Sequence, residues 1–147
     1  MINLYDILEA ASGQLFGEPG QQLFSDFCFD SRFAQEAQLF VALRSDQGDG
    51  HQYIYEAVQR GATGVLCMRP PNFDTSGLSV LLVRDTEAAL MSWAQYILNK
   101  LDTTVIGVAG TGDKSITVEA INHVLATQYP TLQSSGHLDG RLKLPQT

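Results

Sequence analysis

A glycine-rich loop between a predicted strand and a predicted helix limits the possible folds of this chain more than any other segment. Residues 103–106 read Thr-Thr-Val-Ile, and such β-branched residues favour a buried strand. Residues 107–115 read Gly-Val-Ala-Gly-Thr-Gly-Asp-Lys-Ser, and apolar residues then recur on one side of a predicted helix over residues 114–128. This order is typical of a phosphate-binding loop, in which backbone N–H groups converge on phosphate oxygens at a helix N-terminus.

The residues of this loop include the side chains that a nucleotide site needs. Lys114 would neutralise phosphate charge, and the hydroxyl of Ser115 would ligate the Mg²⁺ that ATP carries. We therefore treat six residues as candidates for binding ATP, with Ser115 also the candidate metal contact: Gly107, Gly110, Thr111, Gly112, Lys114 and Ser115.

One residue of the loop departs from the phosphate-binding pattern. The strict pattern G-x-x-x-x-G-K-[ST] fails because Asp113, not lysine, follows Gly112, and the looser pattern G-x-x-G-x-x-G-K-[ST] places Asp113 where glycine is expected. A carboxylate there repels phosphate, and its side chain hinders close backbone approach. We expect the loop to keep its architecture and Asp113 to weaken ATP binding. The alternative is an ordinary strand-to-helix turn in which Lys114 is solvated.

Composition and charge restrict the class of protein. The 147 residues are 44% hydrophobic and 17% charged, enough for a buried core in one or two small domains. A net charge of -7, with only 9 Lys and Arg residues, argues against a nucleic-acid-binding surface but leaves room for a basic pocket that binds one anionic ligand. Cys28 and Cys67 lie in apolar, strand-like runs, so we predict buried free thiols in a reducing compartment.

The N-terminal residues resemble an amphipathic helix and lack the basic start and apolar core of a signal peptide. No apolar run approaches the ~20 residues that cross a bilayer. We therefore expect a cytoplasmic protein without a membrane partner.

Predicted strands and helices alternate along the chain, which indicates an α/β fold. Asp85 or Thr86 is the expected cap of the third helix, and a boundary is expected at residues 99–102. The predicted helices cover residues 3–11, 51–60, 87–100 and 114–128, and the predicted strands cover residues 24–29, 38–43, 63–68, 78–83 and 103–106.

Several short motifs occur in the order and spacing of one known family. They are Phe29-Asp30-Ser31-Arg32, Leu39-Phe40-Val41-Ala42-Leu43-Arg44, Asp49-Gly50-His51, Arg60-Gly61-Ala62, Val83-Arg84-Asp85-Thr86-Glu87-Ala88-Ala89-Leu90, the loop at 107–115 and the tail at 135–147. Together they resemble the N-terminal part of the Mur ligases. The Arg-Pro segment at residues 69–70 and the tail are most similar to MurF, the ligase that adds D-alanyl-D-alanine to the UDP-muramoyl tripeptide, with MurE next.

The resemblance implies a fold and an activity. It implies a MurE/MurF-type N-terminal α/β domain at residues 1–100, which binds a UDP-sugar, and the first strand, P-loop and helix of a truncated ATPase domain at residues 101–147. Mur ligases form an amide bond by phosphorylating a carboxylate with ATP and letting an amine attack the acyl phosphate. Their later domains complete the catalytic machinery, so we assign no catalytic residue and expect the chain to be inactive alone.

The same resemblance provides candidate residues for a UDP-N-acetylmuramoyl-peptide. A carboxylate and a hydroxyl at 30–31 would bond uracil or ribose, and the arginine at 32 would pair with diphosphate. The alternatives are a local turn in which Arg32 bridges a nearby carboxylate, and a role for His51 as a helix cap only. The candidates are Asp30, Ser31, Arg32, Arg44, Ser45, Asp49 and His51.

Some positions differ from the family pattern at turns that would face ligands. Ala37 and Ser45 stand where glycines are usual, and the tail carries His137, Asp139 and Lys143 at altered positions. Such changes suggest a retained fold with relaxed chemistry. Two functions therefore remain open: the N-terminal portion of a MurF-like peptidoglycan-precursor ligase, or a noncatalytic Mur-like pseudoenzyme that acts as a regulatory scaffold through a protein partner or a homo-oligomer.

Overall fold

The computed structural model describes residues 1–45 and 48–133 of the chain. The tail motif at 135–147, with His137, Asp139 and Lys143, lies outside the described residues. The helices are α1 (Leu4–Ala11), α2 (Ile54–Gln59), α3 (Thr86–Lys100) and α4 (Ser115–Leu125). The strands are β1 (Ile2–Asn3), β2 (Gln14–Phe16), β3 (Leu23–Phe24), β4 (Phe27–Cys28), β5 (Leu39–Val41), β6 (Arg44–Ser45), β7 (Gly48–Asp49), β8 (Gly64–Cys67) and β9 (Ser79–Leu82).

A five-stranded mixed sheet forms the centre of the fold, in the order β2-β9-β8-β5-β4. Strands β4, β5, β8 and β9 are parallel, and β2 joins the edge antiparallel to β9. Helices cover both faces of this sheet, so the predicted α/β class is confirmed. The parallel strands all end at one edge, which we call the carboxyl edge.

Alternation along β5 shows why both faces of the sheet are buried. Leu39 and Val41 pack into one apolar cluster with α1 and α3, whereas Phe40 packs into a second cluster with α2. Successive side chains of a strand point to opposite faces, so an uninterrupted apolar run suits a strand covered on both sides.

The helix ends follow from local side-chain chemistry. Asp85 caps α3 by accepting the Ala88 N–H at 2.9 Å, and Thr86 instead donates its hydroxyl to the Ala42 carbonyl at 3.2 Å. The predicted helix at 51–60 begins as a 3₁₀ turn (Gly50–Tyr53), and after α2 the chain reaches Gly61 with φ 122°, the glycine end expected of a helix.

The prediction of a single strand over residues 24–29 is wrong. The segment divides into β3, which pairs with β1, and β4, which enters the main sheet. Between them, the Ser25 N–H donates to the Ala37 carbonyl at 2.8 Å, and the Phe27 N–H donates to the Asp26 carboxylate at 2.8 Å. These bonds compete with strand pairing and turn the chain between the two sheets.

The prediction of a buried strand at residues 103–106 is also wrong. None of the described strands pairs with this segment, and Val105 and Ile106 are 57% and 56% exposed. Helix α4 forms as predicted but buries none of its residues, and Ile116 is 71% exposed. A lone strand and helix lack the neighbours that would bury their apolar faces, so β propensity alone does not form a strand.

Candidate functional site

The carboxyl edge gathers the segments that carry the predicted substrate residues. Residues 30–32 follow β4, the β6–β7 hairpin follows β5, and Arg69 and Arg84 follow β8 and β9. In open α/β sheets, ligands bind outside the carboxyl ends of the parallel strands. The topology therefore brings distant parts of the sequence to the place where this fold class forms its sites.

Asp30 and Arg32 form a compact turn at the end of β4. Asp30 accepts the backbone N–H of Arg32 at 3.0 Å, and Arg32 Nη2 lies 2.6 Å from Asp30 Oδ2. The Arg32 side chain, through its hydrogen bonds, lowers the pKa of Asp30. The local turn considered as an alternative is thus present, while the Arg32 side chain is 72% exposed and within reach of a ligand.

Ser31 lies between Asp30 and Arg32 in the chain; it is buried, and its side chain points toward α2. Its hydroxyl donates to Glu56 Oε2 at 2.8 Å, and Glu56 Oε1 accepts from Arg60 Nε at 3.1 Å. Arg60 also donates to the Arg32 carbonyl at 3.4 Å. Sequence reasoning missed Glu56 and Arg60, although their spacing of four residues on a helix is the signal of an ion pair.

Asp49 and His51 connect the hairpin to the end of β8 through hydrogen bonds that are largely shielded from solvent. Asp49 accepts the His51 backbone N–H at 3.0 Å and the ring Nδ1 at 2.6 Å, and the Met68 N–H donates to His51 Nε2 at 2.9 Å. Because Nε2 accepts, a neutral ring with its proton on Nδ1 satisfies both bonds. The cap of this turn is Asp49, so the interpretation of His51 as the cap is wrong.

Arg69 is a third partner of Asp49 and was absent from the predicted site. Its Nη2 lies 2.8 Å from Asp49 Oδ2. The His51 backbone N–H, the His51 ring and Arg69 together lower the pKa of Asp49 to about 2. Asp49 is therefore ionised at neutral pH, where it links the hairpin to the end of β8.

The remaining predicted residues lie on the β6–β7 hairpin. Arg44 pairs with Asp49 and Ser45 pairs with Gly48, and residues 46–47 lie outside the described part of the chain. The side chain of Arg44 is exposed. Paired residues in a hairpin present their side chains to the same side, so Arg44 lies beside the anchored Asp49.

Arginines are concentrated at this edge, and three of them form ion pairs with carboxylates there. The Lys and Arg residues between positions 1 and 99 are all arginines, and each follows a parallel strand of the sheet or contacts such a segment. They are Arg32, Arg44, Arg60, Arg69 and Arg84. In a chain of net charge -7, this arrangement forms a local site suited to an anionic ligand.

Hydrogen bonds within the loop at 107–115 occupy donors that a phosphate would need. Asp113 Oδ1 accepts the Ser115 N–H at 2.8 Å, and this backbone bond lowers the pKa of Asp113. Lys114 Nζ donates to the carbonyls of Gly110 and Gly112, both at 3.2 Å. Thr111 and the neighbouring glycines are exposed. As described, the loop does not fit a phosphate group, because a carboxylate and two carbonyls hold the donors that would bind it.

Cys28 and Cys67 are buried and free, as predicted, and burial raises the pKa of Cys67 to about 12. Within residues 1–45 and 48–133, no group of three or more His, Cys, Asp or Glu side chains is placed to hold a metal ion. No helix in the same residues has the length and hydropathy needed to span a bilayer.

The chain is similar to ligases of peptidoglycan synthesis, although no family model matches it. It is 33% identical over 143 residues to the UDP-N-acetylmuramoyl-tripeptide--D-alanyl-D-alanine ligase of Bacillus subtilis, covering 97% of this chain and 31% of that protein. MurF from Acinetobacter baumannii has a TM-score of 0.86 at 25% identity, covering 98% of this chain and 31% of that one. MurF from Thermotoga maritima, in complex with ADP, has a TM-score of 0.70 at 28% identity, covering 82% and 28%. The chain thus spans about a third of its relatives' length.

Proposed function

Because this chain belongs to the Mur ligase family, we propose that residues 1–100 form a domain that binds a UDP-N-acetylmuramoyl-peptide at the carboxyl edge. Residues 101–147 would then begin the ATPase domain. The relative from Bacillus subtilis is named for a UDP-N-acetylmuramoyl-tripeptide, and this supports the MurF-type ligand over others. The cytoplasmic location expected from the sequence is part of the same proposal.

The observation that carries this proposal is the grouping of arginines at the carboxyl edge. A UDP-sugar carries a diphosphate, and guanidinium groups bind phosphate oxygens through charge-assisted hydrogen bonds. Four of the arginines follow four neighbouring strands, and the fifth, Arg60, contacts the Arg32 carbonyl, so the group lies at one end of the sheet. A ligand laid along this edge would meet several of them.

The hydrogen bonds divide the candidate residues into two roles. Arg32 and Arg44 are exposed and would contact the diphosphate, and Asp30 would contact the uracil or ribose beside them. The buried hydroxyl of Ser31 donates to Glu56, so Ser31 would position the turn at residues 30–32 instead of contacting the ligand. The carboxylate of Asp49 and the ring of His51 are already bonded to protein groups, so these two act as positioning residues that fix the hairpin. Ser45 lies on the same hairpin and would contribute through its place in β6.

We further propose that the loop at 107–115 binds ATP weakly, although ATP drives ligation in the family. Asp113 supplies an internal carboxylate to the N–H of Ser115, and a phosphate would have to displace it. Amide-bond synthesis by this part of the chain alone is therefore not expected. ATP with Mg²⁺ would bring the phosphoryl group to be transferred, and Lys114 and Ser115 are the candidate residues for holding it.

The hydrogen bonds within the loop at 107–115 also favour the second candidate function, a noncatalytic Mur-like scaffold. In that case a protein partner or a second copy of the chain would cover exposed apolar residues such as Ile116 and Val124 on α4. The two functions differ in one property. A scaffold has no need of UDP-sugar affinity, whereas the ligase portion requires it.

Calorimetric titration of the chain with UDP-N-acetylmuramoyl-tripeptide, and separately with ATP and Mg²⁺, tests the proposal. We expect the UDP-sugar to bind and ATP to bind weakly or below detection. Replacing Asp113 by glycine should increase the affinity for ATP, because the internal carboxylate is removed, and should leave UDP-sugar binding unchanged. A folded sample that does not bind the UDP-sugar would contradict the ligase function and favour the scaffold.

A further inference from the structure

Arg69 is held in a fixed position at the carboxyl end of β8. Its Nη2 donates to Asp49 Oδ2 at 2.8 Å, and the other oxygen of Asp49 accepts both the backbone N–H and the ring of His51. The His51 side chain is only 3% exposed and accepts the Met68 N–H. The carboxylate that holds Arg69 is thus fixed by the hairpin, the 3₁₀ turn and, through His51, the end of β8.

The bond to Asp49 does not use all the N–H donors of the Arg69 guanidinium. A guanidinium has five N–H donors in a planar fork, and Asp49 engages one terminal nitrogen. The Arg69 side chain is 63% exposed, while that of Asp49 is 23% exposed. The bond to Asp49 therefore restricts the side chain and leaves part of the fork open to solvent, which suits bidentate binding of an oxyanion.

Arg69 also lies where two neighbouring parallel strands send their connections to opposite faces of the sheet. Cys67 of β8 pairs with Leu82 of β9, so Arg69 and Arg84 each follow that pair by two residues. The chain after β8 packs Phe73 onto the face covered by α2, whereas the chain after β9 enters α3 on the other face. A crevice for ligands is expected at such a point.

The charged residues that follow β5, β8 and β9 favour an anion. Arg84 is exposed, and the neighbouring Asp85 is occupied as the cap of α3. Arg44 lies beside Asp49 in the hairpin. Asp49 and Asp85 supply two negative charges against the three arginines, so one positive charge remains in excess at the ends of these strands.

We propose that Arg69 is a further ligand-binding residue of the carboxyl edge, which binds phosphoryl oxygens of a nucleoside diphosphate, and that Asp49 is its positioning residue. This inference rests on the proposed UDP-sugar function and adds to it a residue outside motifs 30–32 and 44–51. Arg69 would let the site distinguish a nucleoside diphosphate from a nucleoside, because only the former presents oxygens that the open fork can bind.

Calorimetry with two simple probes, UDP and uridine, tests the role of Arg69. A hydrogen-bonded contact to a charged group corresponds to roughly a tenfold change in affinity or more. We expect Arg69→Gln to weaken UDP binding by about that factor and to leave uridine binding unchanged. The matched control is Lys100→Gln, which breaks the exposed Lys100–Asp6 ion pair, also 2.8 Å long, on the far helices α1 and α3. It should bind UDP like the unsubstituted chain.

Two results would overturn the inference while leaving the proposed function in place. One is equal UDP affinity in Arg69→Gln and the unsubstituted chain. The other is an equal loss of UDP and uridine binding, which would indicate damage to the hairpin and not a lost phosphate contact. Failure of the unsubstituted, folded chain to bind either UDP or the UDP-muramoyl tripeptide would overturn the proposed function and the inference together.

Discussion

Ala37 has a backbone conformation that suits glycine better than alanine. Its φ is 62°, and it lies in the turn between residues 35 and 38. The Ala37 carbonyl accepts hydrogen bonds from the backbone N–H and from the hydroxyl of Ser25. The left-handed conformation costs an L-residue roughly 1–2 kcal/mol, and a glycine would avoid this cost. Part of that benefit is offset because glycine has more conformational entropy in the unfolded chain and loses it on folding. The Mur-like pattern predicted a glycine at this position, and the observed φ explains why.

Replacing Ala37 by glycine should therefore raise the free energy of unfolding by about 0.5–1 kcal/mol. Urea denaturation followed through the single tryptophan, Trp93, measures this change. The control is Ala34→Gly, where φ is -61° and the same substitution should be destabilising. Equal effects at the two positions would show that the turn imposes no strain on Ala37.

The ionisation of Asp49 predicts a pH dependence of stability. Its pKa falls from 3.8 to about 2 in the folded chain, first because the His51 backbone N–H donates to the carboxylate. A lowered carboxyl pKa adds stability that is present above the ordinary value and is lost as the pH falls from 3.8 to about 2. Denaturation curves across this range should show the loss, and Asp49→Asn should reduce it. An unchanged pH profile in that variant would contradict the anchoring role.

Residue contacts divide into those that the sequence could predict and those that it could not. The bond between Asp30 and Arg32 joins residues two positions apart, and a local turn was among the alternatives. The bonds from Met68 to His51 and from Arg69 to Asp49 join residues 17 and 20 positions apart. Such contacts depend on which strands become neighbours. The sequence could therefore propose Asp49 and His51 as candidate residues, but it could not show that protein groups occupy their polar atoms.

At the scale of elements, pattern strength separated correct predictions from wrong ones. Helices α1 and α3 have apolar residues at helical spacing, strands β5 and β8 lie in continuous apolar runs, and the structure contains each of these elements. Strands β2, β6 and β7 have two or three residues each, too few for a period to be recognised. Residues 103–106 have strong β propensity but no strand beside them, so tertiary context overrides the local preference.

Helix α4 should contribute little to the stability of the described fold. It buries none of its residues, whereas α3 buries four, including Leu90. A chain ending at residue 102 should therefore keep its thermal midpoint within about 2 °C, because the apolar clusters lie in earlier elements. Differential scanning calorimetry of the two lengths measures this. A drop of about 10 °C would show that residues 103–133 belong to the cooperative core.

At the scale of the whole molecule, the distribution of charge matters more than its total. The net charge of -7 argues against a nucleic-acid partner but is compatible with a basic pocket for one anion. The arginines of the carboxyl edge are separated along the chain by the strands and helices of the sheet, so only the strand order brings them together. The sequence indicated the family, and the topology supports the proposed site at the carboxyl edge.

The most direct test of the central claim is an NMR titration of the ¹⁵N-labelled chain with UDP-N-acetylmuramoyl-tripeptide. Binding at the carboxyl edge predicts that backbone amide shifts change at residues 30–32, 44–51, 68–69 and 83–85, while those of α4 stay unchanged. Absence of shift changes in a folded sample, or changes confined to α4 and its neighbours, would contradict a UDP-sugar site at this edge.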